Sequence, residues 1–439
     1  MLSKFRRLFS PFYRNLAKVR RRLPLETWRE EKILADKTQE AMTGQFRQTR
    51  QKWRTLFAGG LAHFTHDGFS DMLYVLFPLW QAQFGLTFAE VGFCKTLWSG
   101  SMAAFQVPAG MLARRVGEVR LLLAGTLVTC CAVIAYGWAA TPLVLGCLLV
   151  LGGMGSSVQH PLSSAIIANA YQEKGPRRAA LSTYNFVGDI GKLVFPAAAA
   201  LLITRFDWPT ATHTMGLFGL VVLAAVFLFT RQPAAGPAAA GSDADRPLSA
   251  APHGNSDGGR AFWSLVTIGI LDSATRMGFL TFFPFLLKTK GADVAMIGLA
   301  LSLIFAGGAT GKFVCGIVAT RFGVLRTVIV TEVVTALCIW GMLVLSPGAS
   351  LLLSPLLGLV LNGTSSVLYG SVPELVSEQR RNQAFAIFYT AGIGSGAVSP
   401  FVYGLISDII GVQATLIIVA AVVLTIVPLT APLRGKLAH

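Results

Sequence analysis

From Leu56 onward the chain runs through apolar stretches of about 20 residues separated by short polar breaks. Wound as a helix, each stretch rises about 30 Å, the thickness of bilayer hydrocarbon. The stretches fall at 55–81, 88–113, 120–139, 142–168, 180–203 and 211–230. Six more follow at 262–287, 293–319, 326–346, 350–373, 384–407 and 411–432. This pattern predicts an all-α membrane protein with twelve transmembrane helices in two sets of six. The intervening segment 231–260 is rich in Ala, Gly, Pro, Ser and Asp and cannot bury an apolar face, so it reads as a flexible linker. The expected organisation is a basic tail (1–54), a six-helix bundle (55–230), the linker (231–260), a second bundle (261–432) and a short tail (433–439).

Composition narrows the class. Hydrophobic residues make up 53% and charged residues 13%, against roughly 25% charged in soluble domains. Too few charges remain to coat a soluble enzyme of this size, and a disordered or fibrous chain fits no better. The net charge of +16 is concentrated: residues 1–54 hold 15 Lys or Arg and 5 Asp or Glu. A basic tail on an apolar body argues against a nucleic-acid groove.

Within the first 22 residues Leu2, Phe5, Phe9, Phe12 and Leu16 share one helical face, with Lys4, Arg7, Arg14 and Lys18 around it. That is the pattern of an amphipathic helix on anionic headgroups, kinked at Pro11. A flexible basic tail and a transit peptide are the alternatives. Cys94, Cys130, Cys131, Cys147, Cys315 and Cys338 all lie in apolar runs without metal-ligand spacing, and read as small hydrophobic side chains.

Basic residues also set the expected orientation. With the N-terminus in the cytoplasm, inside segments carry 30 of the 37 Lys and Arg, and outside loops carry Arg205, Lys288 and Lys290. Both termini and the linker are expected on the cytoplasmic side of a bacterial inner membrane or a membrane derived from it.

The two halves repeat. At an offset of 206, Pro78 matches Pro284, Gly85 matches Gly291, Gly92 matches Gly298 and Gly110 matches Gly316; Arg115 matches Arg321, Gly117 matches Gly323 and Arg120 matches Arg326. Further on, with a drifting offset, Pro196 matches Pro400. Parallel repeats of this kind build transporters with a midplane site.

The segments GMLARRVGEVR (Gly110–Arg120) and GIVATRFGVLR (Gly316–Arg326) resemble the loop signature of the major facilitator superfamily. HFTHDGFSDMLYVLFPLW (His63–Trp80) and GGMGSSVQHP (Gly152–Pro161) resemble its fosmidomycin-resistance branch of drug exporters. The resemblance covers 55–432. It implies proton-linked alternating access between two bundles, with Gly110, Arg115, Gly117, Gly316, Arg321 and Gly323 in the cytoplasmic gate loops. The family's loop Asp is replaced here by Arg114 and Thr320.

Ionisable groups inside spans are the candidates for chemistry, because each costs several kcal/mol in hydrocarbon unless paired or hydrated. His63, Asp67 and Asp71 lie at i, i+4, i+8 on one face of the first span, and His66 precedes Asp67. Carboxylate beside imidazole is the chemistry of a proton relay and equally of a metal-cation site. Asp272 and Arg276 in the seventh span, and Asp189 and Lys192 in the fifth, read as self-neutralising pairs that could also contact substrate. His160, Asn362 and Tyr369 complete the substrate-binding candidates. Lys95 and Lys312 need partners from other helices, and Glu332 reads as structural. No Walker sequence or catalytic constellation is present, and no cofactor is expected.

The reading is a secondary transporter, coupled to protons through Asp67, His66, Asp71 and His63, moving a small solute such as a drug. A metal-ion or metal-chelate transporter of the same fold is one alternative. A non-transporting membrane scaffold or sensor is another.

Overall fold

The computed structural model describes residues 25–231 and 256–437. The amphipathic segment at 1–22 and most of the 231–260 linker lie outside the described residues. The chain divides into two units, Met1–Arg54 and Thr55–His439. In the first, residues 25–54 are helical, and Leu34 and Trp53 are exposed. Everything below concerns the second unit.

Helices cover each of the twelve expected apolar stretches. They are α1 (Leu25–Phe84), α2 (Phe88–Val116), α3 (Glu118–Tyr136), α4 (Pro142–Ser156), α5 (Gln159–Ala170), α6 (Lys174–Arg205) and α7 (Trp208–Thr230). The second half holds α8 (Ser256–Thr289), α9 (Val294–Phe322), α10 (Val324–Val344), α11 (Pro347–Ser371) and α12 (Arg381–Leu424). The fourth expected span is broken at Ser157–Val158 into α4 and α5. The last two expected spans merge as α12, which breaks direction at Gly411 (φ 82°). Helix α8 starts at Ser256, inside the stretch expected to be linker. Among the described residues, nine segments are long and apolar enough to cross a membrane, and no strand occurs. Helices α1 and α2 fall outside those nine; they carry much of the polar chemistry described below.

The internal repeat is written in the turns. Gly85 and Gly291 adopt φ of 66° and 84°, and Gly117 and Gly323 adopt 97° and 89°. An L side chain rarely takes such angles, so the matched glycines make matched reversals in each half. Caps then start the helices that follow the first pair of turns. Thr87 and Glu90 form a reciprocal box at α2, and the Asp293 carboxylate accepts from Met296 N at α9.

The same symmetry builds the two seams between halves, where α2 packs on α12 and α6 packs on α9. A methyl on Gly92 would run into the Pro400 carbonyl, and one on Gly298 would run into Ala200 and the Pro196 carbonyl. Two glycine–proline pairs related by the repeat therefore bring backbones close across both seams, the small-residue packing expected in membranes. At the end of the bundle carrying the Gly85 and Gly291 turns, more contacts bind the halves. Asp408 accepts from Phe88 N and Ala89 N at 2.7 and 2.9 Å, and Lys288 Nζ donates to Pro78 O at 3.1 Å. At the opposite end a methyl on Gly110 or Gly316 meets nothing within 4 Å. Arg115 and Arg321 are exposed there.

Side chains of Phe69, Met72–Phe77, Trp80, Phe279, Phe282, Phe283 and Phe285 belong to the main hydrophobic core. The three phenylalanines at 282, 283 and 285 are thus core residues. Cys94, Cys130, Cys315 and Cys338 are buried, and Cys131 and Cys147 are exposed.

Candidate functional site

Helix α1 supplies His63, His66, Asp67 and Asp71, all buried. Small residues let neighbouring helices approach this face. One of them is Gly188 on α6, where a methyl would strike the His63 ring. The His63 ring stacks on Tyr184, with centroids 4.1 Å apart and planes at 20°. Its Nδ1 lies 3.0 Å from the Tyr184 carbonyl, which can only accept, so Nδ1–H is the donor. That contact turns Nε2 toward Asp67 Oδ2, 3.2 Å away. Among the described residues Nε2 nevertheless has no well-aligned hydrogen-bond partner.

Asp67 is the hub. His66 Nε2 and His160 Nε2 stand 3.7 and 3.9 Å from its Oδ1. Lys192 Nζ from α6 is 3.3 Å from Oδ2. His160 on α5 packs edge-on against both other rings, at 5.0 and 4.8 Å between centroids. The break between α4 and α5 places it there. His66 also borders a small recess lined by Thr126, Thr129, Ser156 and Gln159.

Lys192 leads onward. Its Nζ is 3.8 Å from Asp189 Oδ1, and Asp189 receives Lys312 Nζ at 2.8 and 2.7 Å on its two oxygens. Lys312 belongs to α9, so this last pair joins the two halves. The expected Asp189–Lys192 self-pair is therefore the weaker contact of each member. Lys192 is closer to Asp67, and Asp189 closer to Lys312. Helical spacing shows that i and i+3 can meet, but a better-placed partner from another helix wins.

The second expected self-pair differs as well. Arg276 NH1 donates to Ser365 Oγ at 2.9 Å, and Ser365 Oγ donates to Asp272 Oδ2 at 2.8 Å. A hydroxyl from α11 thus links acid and base on α8. Ser365 was not among the candidates, although the sequence marks it: it stands in the polar run Thr364–Ser366, and Ser365-Ser366 repeat Ser156-Ser157 of the first half.

Lys95 finds its partners on α1, donating to Ser70 O at 3.2 Å with its Nζ 4.4 Å from the Tyr74 ring centroid. Asp71 is buried, and among the described residues it has no ion pair within 4 Å. Glu332 is buried too, with Oε1 lacking a hydrogen-bond partner. Two other candidates lie elsewhere. Asn362 donates to Gly358 O within α11 and packs against Gly308, and Tyr369 is half-exposed beside Phe385 and Phe388.

His63, Asp67 and His160 offer donor atoms all within 4.8 Å of one another, a set that can hold a metal ion. Outside the spans, hydrogen bonds from Thr210 hold the Asp207 carboxyl below its ordinary value, as expected for the cap of α7.

Two bundles related by a repeat, joined by matched seams around buried charged side chains, define a transporter fold. A family model described as Major Facilitator Superfamily matches residues 59–269 and 265–436. The chain belongs to the major facilitator superfamily. It is 28% identical over 163 residues to the multidrug resistance protein MdtL of Shewanella oneidensis, covering 37% of this chain and 41% of that one. It is 26% identical over 196 residues to the fosmidomycin resistance protein of Escherichia coli K12, covering 41% and 44%. These alignments span about two fifths of each relative. A longer one, to MdtL of Shigella dysenteriae, is 25% identical and covers 68% of this chain and 73% of that one. A bacterial homologue of the lysosomal transporter Spinster, inward-facing and occupied, superposes with a TM-score of 0.70 at 16% identity, covering 88% of this chain and 98% of that one. The nucleoside transporter NupG gives 0.70 at 14%, covering 87% and 100%. These solved structures share the fold.

Proposed function

We propose that this protein moves a small organic solute across a bacterial inner membrane by alternating access, driven by protons. The observation that carries the coupling is Asp71: a carboxyl on a membrane helix, buried, without a counter-ion within 4 Å among the described residues. An unpaired carboxylate in that setting is expensive, and a proton removes the charge. Asp67, the first expectation for coupling, is held by Lys192 and three imidazoles and reads as the organiser of the cleft. The Asp67–Lys192–Asp189–Lys312 chain supports the reading further, because it connects the proton-bearing helix to the seam between halves.

Export of drug-like compounds is drawn from the multidrug and fosmidomycin resistance relatives. With the orientation that the basic loops predict, the bound end of the bundle faces outward and the end carrying Arg115 and Arg321 faces the cytoplasm. The test is flux in proteoliposomes under an imposed pH gradient, across antibiotics, organic acids and sugars. Proton-driven movement of at least one class, lost in Asp71→Asn, is the expected result. Movement of none, or full proton-driven flux in Asp71→Asn, overturns the reading.

A further inference from the structure

The contact between His63 and Asp67 is chemically incomplete. Nδ1 of His63 is committed as a donor to the Tyr184 carbonyl, so in the neutral ring Nε2 carries a lone pair. That lone pair is 3.2 Å from a carboxylate oxygen and, among the described residues, has no well-aligned hydrogen-bond partner. Two electron-pair donors aimed at each other take either a proton or a metal ion between them, and a third donor beside the pair favours the metal. A third donor, His160 Nε2, stands 3.9 Å from the other Asp67 oxygen.

We propose that His63, Asp67 and His160 bind a divalent transition-metal ion. The donor set is two imidazoles and one carboxylate, which suits Fe²⁺, Co²⁺ or Zn²⁺ over Mg²⁺ or Ca²⁺. Donors bound at about 2.1 Å to one ion stand about 3–3.5 Å apart. His63 and Asp67 already do; the three donors together lie within 4.8 Å of one another, so the His160 ring closes by at most about 2 Å to complete the set. The Tyr184 carbonyl behind His63 plays the orienting role common behind metal-ligating histidines. Three protein donors leave coordination positions open. The ion therefore arrives bare, or bound to a chelating organic cargo.

Lys192 is the competitor. Its ammonium lies 3.3 Å from Asp67 Oδ2 and occupies the charge that the metal would take. An arriving metal displaces it toward Asp189, 3.8 Å away, where it competes with Lys312 for the carboxylate that ties the halves. The inference deepens the transport reading by naming what the cleft takes up, and it rests on that reading only for the consequence, not for the binding.

The experiment titrates full-length protein, purified in detergent without a polyhistidine tag, with Co²⁺ read by visible absorption and Zn²⁺ read by calorimetry. One ion per chain is expected, with Zn²⁺ displacing Co²⁺. His160→Gln, at a half-exposed position that leaves folding intact, weakens binding at least about tenfold, the scale set by losing one ligand. Lys192→Gln tightens it by roughly tenfold, because an adjacent positive charge is gone. Absence of binding in both wild type and Lys192→Gln overturns the site. So does binding that His160→Gln and Asp67→Asn leave unchanged. Repeating the titration with the metal presented as its citrate complex separates the two sources: tighter binding than the bare ion assigns the chelate, weaker binding assigns the ion. Loss of the metal site with proton-driven flux intact would sink this inference alone. Metal binding without flux of any cargo would sink the transport reading alone.

Discussion

The first helices of the two halves, α1 and α8, occupy equivalent places and carry opposite designs. In α1 the charges point outward from the helix to partners on α5 and α6, and the network ends on the other half at Lys312. In α8 the charges are closed within their own half, Asp272 and Arg276 sharing the Ser365 hydroxyl. The turns and seams around them are matched: Gly85 with Gly291, Gly117 with Gly323, Gly92 against Pro400 and Gly298 against Pro196. A duplicated scaffold has thus kept its backbone contacts and let its polar interior diverge. Packing constrains glycine and proline in both copies. The interior side chains are constrained by what each half must bind.

The comparison can be broken most sharply at Asp71. Its neutral isostere is expected to lower proton-driven flux by about two orders of magnitude, the lower end of the range for removing a proton-transfer group. Solute exchange without a pH gradient should survive. Equal losses in both assays would mean that Asp71 serves structure in α1 as Asp272 does in α8.

A smaller effect is expected at the seams. Gly92→Leu and Gly298→Leu should each destabilise by about 1–3 kcal/mol through overpacking against backbone. Melting temperatures of the two variants should fall by similar amounts. A large fall in one and none in the other would show that the seams are symmetric in shape but not in load.

Next comes the closed network of α8. Ser365→Ala removes the bridge and leaves Asp272 and Arg276 short of a partner, a cost of about 1–3 kcal/mol. Thermal stability should drop while proton-driven flux is retained. Loss of flux at unchanged stability would place α8 in the transport step alongside α1.

The smallest effect is at the Asp207 cap. Its carboxyl is held low by Thr210, so it stabilises the fold above the unfolded carboxyl value and ceases to do so as pH falls through the lower folded one. Asp207→Asn should melt slightly below wild type at neutral pH. The two curves should converge in strong acid. A gap that persists there would mean that the cap works without its charge.

Much of this was readable in the chain. Apolar stretches of span length fixed the helices, since hydrocarbon leaves the backbone few other ways to satisfy its hydrogen bonds. The offset of 206 marked the glycines that later proved to sit at positive φ or at the seams. The acids and histidines of α1 stood out because ionisable groups are rare in such runs. Pairing was not readable. Asp189 and Lys192 looked like mutual partners, yet Lys312 and Asp67 claim them. Ser365 was marked only as part of a repeated Ser pair, with nothing to show that it links Asp272 and Arg276. The place where two spans merge at Gly411, and the break at Ser157–Val158 that positions His160, were equally hidden.

The amino-acid order alone therefore determined the membrane class, the helices and the duplication, because these follow from local hydrophobicity and from residues that only a tight turn or close approach requires. Tertiary structure alone decided who neutralises whom. A buried charge takes the partner that packing brings nearest, and that neighbour comes from a helix more than a hundred residues away as readily as from the next turn.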